Sequence, residues 1–281
     1  MTEISASLDA RNVEARIGPP ARVLALLEAP RALSEFATLG SAACLLARAP
    51  RGDGHGVLVL PGFTASDQST APMRRFLVQQ GYQAEGWLLG RNMGPVDSPH
   101  MEGQLLARLS ELREATAGRP VSLVGWSLGG VQARLLATRC PEWIRQVITL
   151  GSPIGADQRA TSIHRFVEGV TRREIAPEAM AEGLGGAGWP RLAPPPVPCT
   201  AIYSRTDGIV SWRISREPPS PLTDNIEVRG SHCGLGFNPA VLWAIADRLA
   251  LPEGAWTPFA REGWRRLVYG PAEPDPAGHA A

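Results

Sequence analysis

Short apolar runs alternate with longer amphipathic stretches along most of the chain, beginning at Gly56. The apolar runs are rich in Val, Ile and Leu, as strands buried on both faces are, and they predict strands at 56–60, 82–87, 121–124, 146–150, 199–204 and 225–228. Apolar residues at helical spacing predict helices at 71–80, 98–117, 128–139 and 239–251. The alternation therefore predicts an α/β fold with a mostly parallel, doubly wound sheet.

The composition changes along the chain and predicts four parts. Residues 20–48 hold one or two Ala/Leu-rich helical stretches, so we expect an N-terminal helical extension over 1–55 that packs on the sheet or forms a dimer or membrane-surface contact. The α/β domain is expected over 56–270. A long insertion between the fourth and fifth strands predicts a cap or lid at about 154–198, and a proline-rich ending predicts a disordered tail over 271–281.

Charge and composition argue against several function classes. The 281 residues carry a formal net charge of only +1, with 44% hydrophobic and 20% charged residues, so no nucleic-acid partner is expected. The N-terminus has no apolar signal segment and no stretch is long and apolar enough for a transmembrane segment, which predicts a cytoplasmic protein.

Cysteine spacing and glycine patterns give no sign of a bound cofactor. The four cysteines form neither a Cys-x-x-Cys pair nor a cluster with zinc spacing, which predicts reduced thiols and no metal. A Gly-x-Gly-x-x-Gly match at 183–188 has no strand before it and Trp189-Pro190 after it, so it does not predict a dinucleotide site. We therefore expect a protein that works without a cofactor.

The segment Gly125-Trp126-Ser127-Leu128-Gly129 is a Gly-x-Ser-x-Gly motif between an apolar run and a helix-compatible stretch. Strand, sharp turn and helix in that order are what a nucleophile elbow requires. The hydroxyl of Ser127 would then stand at a helix N-terminus, where free N–H groups and the helix dipole favour a developing oxyanion. The alternative is a Gly/Ser loop that matches by chance, because the motif is short.

A serine hydroxyl becomes a good nucleophile when an imidazole accepts its proton and a carboxylate orients that imidazole. Asp207 and His232 follow the fifth and sixth predicted strands and supply both groups in the order Ser, Asp, His. Asp207 could also belong to a plain Asp-Gly turn, with Asp224 as a rival carboxylate. We interpret Cys233 as a small packed residue. Three other histidines are expected to be solvated or hydrogen-bonded at the surface: His55, His100 and His164.

Taken together, these motifs make the chain resemble the α/β-hydrolase superfamily, and within it the lipase- and esterase-like members, over residues 56 to 250. The resemblance rests on five segments in order: Leu60-Pro61-Gly62-Phe63, Gly125-Trp126-Ser127-Leu128-Gly129, Leu150-Gly151-Ser152-Pro153, Ser204-Arg205-Thr206-Asp207-Gly208-Ile209-Val210 and Ser231-His232-Cys233-Gly234-Leu235. It implies Ser127 as the nucleophile, His232 as general base and then general acid, and Asp207 as the residue that fixes the histidine tautomer.

The resemblance also implies an oxyanion hole made by the backbone N–H groups of Phe63 and Leu128. The chain departs from the family at Pro61-Gly62, where the family often has His-Gly. Because the donor is the backbone of the residue after the glycine, the hole can survive this change, and the N–H of Thr64 is an alternative second donor.

The activity that the resemblance implies is hydrolysis of a small-molecule or lipid carboxylic ester through an acyl-enzyme. An acyltransferase using the same triad and a non-catalytic, hydrolase-like binding protein are the alternatives. Trp126 and Trp212 fall in or beside the motifs and are candidate substrate-binding residues, although tryptophan is at least as often part of the core. The sequence leaves the acyl chain length and the oligomeric state open.

Overall fold

A single parallel sheet organises the part of the chain that the computed structural model describes, which is residues 17–94, 99–155, 161 and 193–272. Six strands hydrogen-bond in the order β2-β1-β3-β4-β5-β6, and every pair is parallel. Their bounds are β1 Gly56–Leu60, β2 Gln83–Gly86, β3 Val121–Trp126, β4 Ile144–Leu150, β5 Cys199–Tyr203 and β6 Thr223–Glu227.

Helices cover both faces of this sheet. Their bounds are α1 Arg22–Leu26, α2 Glu28–Leu46, α3 Asp67–Gln79, α4 Pro99–Ala115, α5 Leu128–Arg139, α6 Pro239–Leu249 and α7 Arg265–Val268. Val57 and Val59 of β1 share a core with residues of α2, α3 and α6, whereas Leu58 and Leu60 share a second core with residues of α4 and α5. Because alternate side chains of one strand enter opposite cores, the sheet is buried on both sides. The predicted α/β fold with a doubly wound parallel sheet is confirmed.

Most element bounds agree with the apolar pattern to within two residues. Helix α3 differs, since it begins at Asp67 and contains Pro72, whereas the pattern predicts a start at residue 71. The Asp67 carboxylate accepts the N–H groups of Trp87 and Leu88, each at 3.0 Å, and so holds the first turn of α3 to the end of β2. This tertiary contact adds a turn that the local sequence does not signal.

Several predictions fall outside the described residues. Most of the predicted cap at about 154–198 and nearly all of the predicted tail over 271–281 lie there, so these assignments stay predictions. The helices expected within residues 20–48 are α1 and α2. In the described ranges, no helix is long and apolar enough to cross a membrane.

The strand order places the functional loops. The chain moves from β1 to β2 on one side and then to β3 on the other, so the order of the strands reverses at β1. Loops leaving the carboxyl ends of two such strands diverge and open a crevice, which is where α/β sheets bind ligands. Here those loops carry Phe63 after β1 and Ser127 after β3.

Candidate active site

Ser127 lies on a sharp turn between β3 and α5. Its backbone has φ 54° and ψ −119°, a conformation that non-glycine residues rarely adopt and that costs free energy of folding. The flanking glycines leave no space for side chains, because a Cβ on Gly125 would lie 2.3 Å from the Cα of Gly130 and one on Gly129 would lie 2.4 Å from the Leu60 carbonyl oxygen. The turn thus lifts the Ser127 side chain above the end of the sheet.

His232 and Asp207 meet at the same end of the sheet. The Nδ1 atom of His232 lies 2.6 Å from Oδ2 of Asp207. The other carboxylate oxygen, Oδ1, accepts the N–H groups of Ile209 and Val210, each at 2.8 Å, so the carboxylate is held on both sides. The rival Asp224 is occupied elsewhere, where it accepts the N–H of Phe259 at 2.7 Å.

The environment of His232 favours its protonated form. Burial by itself would lower the pKa of this imidazole, but the charge of Asp207 and its hydrogen bond outweigh burial, and the Glu28 charge acts in the same direction. The pKa of His232 is therefore raised above its ordinary value. An imidazole held in this way can take up a proton readily at Nε2 while Asp207 fixes Nδ1–H.

A largely apolar cavity of about 290 Å³ connects the serine with the histidine. Ser127 and His232 both line it, and its remaining walls come from the loop after β1 and nearby apolar side chains, among them Phe63, Ala65, Trp126 and Ile209. Among the described residues that line it, only His232 and the Cys233 thiol carry an ionisable group. Such a cavity suits an uncharged, apolar group next to the serine hydroxyl.

Two backbone N–H groups are candidates for an oxyanion hole. Leu128 is the first residue of α5, so its N–H has no acceptor within the helix. The N–H of Thr64, the alternative second donor, instead donates to the Asn92 carbonyl oxygen at 2.7 Å. The amide of Asn92 is paired with the amide of buried Gln132 and also donates to Pro61, so it braces the loop that carries Phe63. This leaves the N–H of Phe63 as the second candidate.

The two candidate tryptophans lie in different surroundings. Trp126 lines the cavity, and its indole N–H donates to the His232 carbonyl oxygen at 3.1 Å. Trp212 is not among the described residues that line the cavity, but stacks on Tyr203 with ring centroids 6.0 Å apart and lies under the guanidinium of Arg205. The structure thus brings Trp126, and not Trp212, to the candidate site.

The interpretation of Cys233 as a small packed residue was wrong. This residue is exposed and lines the cavity. Although the residue as a whole is exposed, its thiol is partly covered, and this desolvation together with the nearby carboxylates, Glu28 first among them, raises the pKa of the thiol to about 12. A thiol that stays protonated at neutral pH is a poor nucleophile. All four cysteines are free.

The prediction of a surface position was wrong for His55. This residue is fully buried at the opposite, amino end of the sheet, where its Nδ1 lies 2.5 Å from Oδ1 of Asp53 and its Nε2 lies 2.8 Å from Oγ of Ser122. These partners satisfy both ring nitrogens and so allow burial. Of the other two histidines, His100 is exposed and His164 lies outside the described residues.

Two residues that the sequence analysis gave no role contact the acid and the histidine. Gly151 follows β4 with φ +55°, and a Cβ there would lie 3.0 Å from Oδ2 of Asp207 and 3.1 Å from Nδ1 of His232. Glu28 is buried at the start of α2 and accepts the N–H of His232 at 3.1 Å. The Leu150-Gly151-Ser152-Pro153 segment of the sequence pointed to Gly151, whereas no local pattern pointed to Glu28.

The described residues contain no group of three or more His, Cys, Asp or Glu side chains that could hold a metal ion.

No protein-family model matches the chain. Two curated proteins match one segment at 33% identity over 79 residues, the triacylglycerol lipases of Pseudarthrobacter phenanthrenivorans and Burkholderia plantarii. The segment is 28% of this chain and spans only about a quarter of the curated relatives, 24% and 21% of their lengths.

Solved structures with similar folds include one of the metagenome-derived lipolytic enzymes LipS and LipT, with a TM-score of 0.49 and 19% identity over 71% of this chain and 93% of that one. The pyrethroid hydrolase PytH aligns with a TM-score of 0.48 and 16% identity over 71% of this chain and 99% of that one. For mouse alpha/beta hydrolase domain-containing protein 10 the TM-score is 0.46, with 19% identity over 71% and 90%. Likenesses at this level assign no activity.

The chain's own architecture is that of an α/β-hydrolase fold. Its parallel sheet has the order β2-β1-β3-β4-β5-β6, with a serine on the sharp turn after β3 and an acid and a histidine after β5 and β6. One segment of the chain is also similar to triacylglycerol lipases, and beyond that segment the likeness to known hydrolases is one of fold.

Proposed function

We propose that this protein is a serine hydrolase that cleaves carboxylic esters through an acyl-enzyme, with Ser127, Asp207 and His232 as its catalytic triad. One observation carries the proposal: the strained Ser127 and the Asp207-bound His232 line the same cavity at the carboxyl end of the sheet. Strain of this kind at a cavity is typical of a functional position.

In the first half of the proposed reaction, Ser127 Oγ attacks the ester carbonyl carbon while Nε2 of His232 takes the hydroxyl proton. The negative charge that develops on the carbonyl oxygen is stabilised by the N–H groups of Leu128 and Phe63, each worth on the order of a hundredfold to a thousandfold in rate. The tetrahedral intermediate then expels the alcohol, which leaves with the proton from His232.

In the second half, water attacks the acyl group on Ser127 and gives its proton to His232. The intermediate collapses, the proton returns to Ser127 Oγ, and the carboxylic acid leaves. Asp207 remains ionised throughout and stabilises the imidazolium that forms in each half.

An ester substrate is supported by two independent observations. The cavity offers apolar walls beside the serine, which suit an acyl chain better than a charged group. The segment shared with two triacylglycerol lipases points to the same class of bond. We propose small-molecule or lipid esters, and no acyl chain length.

The first test is labelling with a fluorophosphonate, followed by peptide mapping, together with turnover of p-nitrophenyl esters. We expect an adduct on Ser127 that is absent from Ser127→Ala and His232→Ala, and a fall in turnover of up to about a millionfold in Ser127→Ala. Full activity in Ser127→Ala would overturn the proposal. A protein that binds esters without an adduct or turnover would favour the non-catalytic alternative.

Two further measurements distinguish a lipase, an esterase and an acyltransferase. Competing alcohols or amines that divert the acyl group from water would identify an acyltransferase. A series of esters of increasing chain length separates the two hydrolases, because activity that rises sharply above the solubility limit favours a lipase and ordinary saturation favours an esterase.

A further inference from the structure

Glu28, the first residue of α2, joins the loop that carries the acid to the loop that carries the histidine. Its Oε1 accepts the N–H of Gly208 at 2.8 Å and the N–H of His232 at 3.1 Å, and its Oε2 accepts the N–H of Cys233 at 2.9 Å. Gly208 directly follows Asp207. A single buried carboxylate thus bonds backbone on both sides of the Asp207–His232 pair.

The packing around Gly208 shows how closely the N-terminal helices approach this loop. A Cβ on Gly208 would lie 2.5 Å from the carbonyl carbon and oxygen of Leu24, in α1. The helices therefore contact the backbone of the acid loop directly, and Glu28 has little freedom to move away from its three donors.

Two further charged residues of α2 bind the same pair of loops. Arg31 donates to the Thr206 carbonyl oxygen at 2.8 Å and to the Gly230 carbonyl oxygen at 2.7 Å, which again links the two loops. Glu35 accepts the N–H of Ser231 at 2.6 Å. Residues spaced by three and four positions share one helix face, so one face of α2 is devoted to the acid and histidine loops.

Among the charged residues of α2 described above, Glu28 is the one that hydrogen-bonds to His232. Asp207 contacts the imidazole directly, and Glu28 bonds the histidine backbone. Arg31 lies 3.8 Å from Glu28 and bonds carbonyl groups, while Glu35 reaches Ser231 and Asn238 but makes no hydrogen bond to His232. After Asp207, Glu28 is the carboxylate nearest to the histidine in these hydrogen-bonded contacts.

We propose that Glu28 is a positioning residue for the proposed hydrolysis: it sets the distance between the Asp207 and His232 loops, and its charge stabilises the imidazolium. This inference rests on the proposed function of the triad. It also gives the N-terminal helical extension a role at the active site, because α1 and α2 deliver the carboxylate.

The test compares Glu28→Gln and Glu28→Asp in the full chain. Glutamine keeps the size of the side chain but removes the charge and turns an NH₂ group toward an N–H donor. We expect kcat on p-nitrophenyl butyrate to fall about 10- to 100-fold with little change in KM, because a displacement of catalytic groups by about an ångström costs as much as a hundredfold. The acidic limb of the kcat/KM profile should move to lower pH, because the imidazole loses a negative neighbour.

Glu28→Asp separates charge from reach. Its carboxylate remains but lies one methylene farther from the two loops, so we expect kcat to fall while the acidic limb stays near its wild-type position. If Glu28→Gln does not fold, this variant carries the test, and an unchanged kcat in Glu28→Asp would overturn the positioning role.

Glu35→Gln is the matched control, since it removes a carboxylate from the same helix face without touching His232. We expect it to lower the melting temperature and leave the acidic limb in place. If Glu28→Gln behaves in the same way, with lower stability and an unmoved limb, Glu28 is only a structural residue and the proposal is wrong.

An NMR titration of the His232 imidazole reads the charge effect without turnover. A lower midpoint in Glu28→Gln than in wild type supports the proposal, and equal midpoints overturn it. Absence of a fluorophosphonate adduct on Ser127 would instead count against the proposed function, so the two failures are distinguishable.

Discussion

Replacing Gly151 by alanine tests whether the backbone after β4 sets the geometry of the acid and the histidine. The new Cβ would lie 2.8 Å from Cδ1 of Leu235, 3.0 Å from Oδ2 of Asp207 and 3.1 Å from Nδ1 of His232, whereas ordinary contacts are 3.4–4 Å. The last two atoms form the 2.6 Å hydrogen bond of the pair, so the methyl group must push at least one of them away.

The expected losses have two parts. Alanine at φ +55° costs about 1–2 kcal/mol in backbone strain, and the crowded methyl group adds about 1–3 kcal/mol to the loss in unfolding free energy. Because displacements of up to an ångström in catalytic groups cost as much as a hundredfold, we expect kcat to fall about 10- to 100-fold.

Gly263→Ala is the matched control, because Gly263 has φ +57° and nothing within 4 Å of a Cβ. Urea unfolding measures the stability of both variants, and p-nitrophenyl ester kinetics measure kcat. We expect Gly263→Ala to show the strain alone and to keep kcat. Equal losses of stability in the two variants, with wild-type kcat in Gly151→Ala, would refute the reasoning.

Two further predictions concern pH. Because His232 must be neutral to accept the Ser127 proton and its pKa is raised by Asp207 against the effect of burial, kcat/KM should fall with decreasing pH through a midpoint above 6.5; a midpoint below 6.5 would contradict this. Burial lowers the pKa of His55 to about 4 despite its bond to Asp53, so the unfolded chain binds more protons between pH 6.5 and 4 and stability is lost as the pH falls through that range. The loss should reach about 2 kcal/mol at pH 5, measured by urea unfolding at pH 7 and pH 5. His55→Gln should flatten this dependence, and an equal slope in both proteins would show that another group causes it.

The sequence predicted what local patterns encode. The apolar run at 56–60 predicted β1 to the residue, because both faces of that strand are buried and every position is apolar or glycine. The elbow at Ser127 was recognisable because its conformation depends on glycines two residues before and after it. The roles of Ser127, Asp207 and His232 remain proposals, but their approach to one end of the sheet follows from strand order.

The sequence patterns did not predict contacts between residues that lie far apart in the chain. The bond from Glu28 to His232 joins residues 204 positions apart, and a glutamate in an Ala/Leu-rich helix looks like any solvated charge. The prediction of a surface position for His55 was wrong for the same reason, since its burial depends on Ser122, 67 positions away. In both cases a polar side chain is buried because distant partners satisfy it, which periodicity does not reveal.

The series of exposed Asp53 and buried His55 and Ser122 repeats the connectivity of a catalytic triad, with a serine that is fully inaccessible. Trypsin cuts after arginine, and no arginine separates Ser122 from Ser127, so both hydroxyls occur in one digestion product. A mass increase of that peptide alone would be the same for either residue. Only fragment ions that break the chain between the two serines identify the modified oxygen, and a Ser122→Ala chain that keeps the adduct gives the same answer without them.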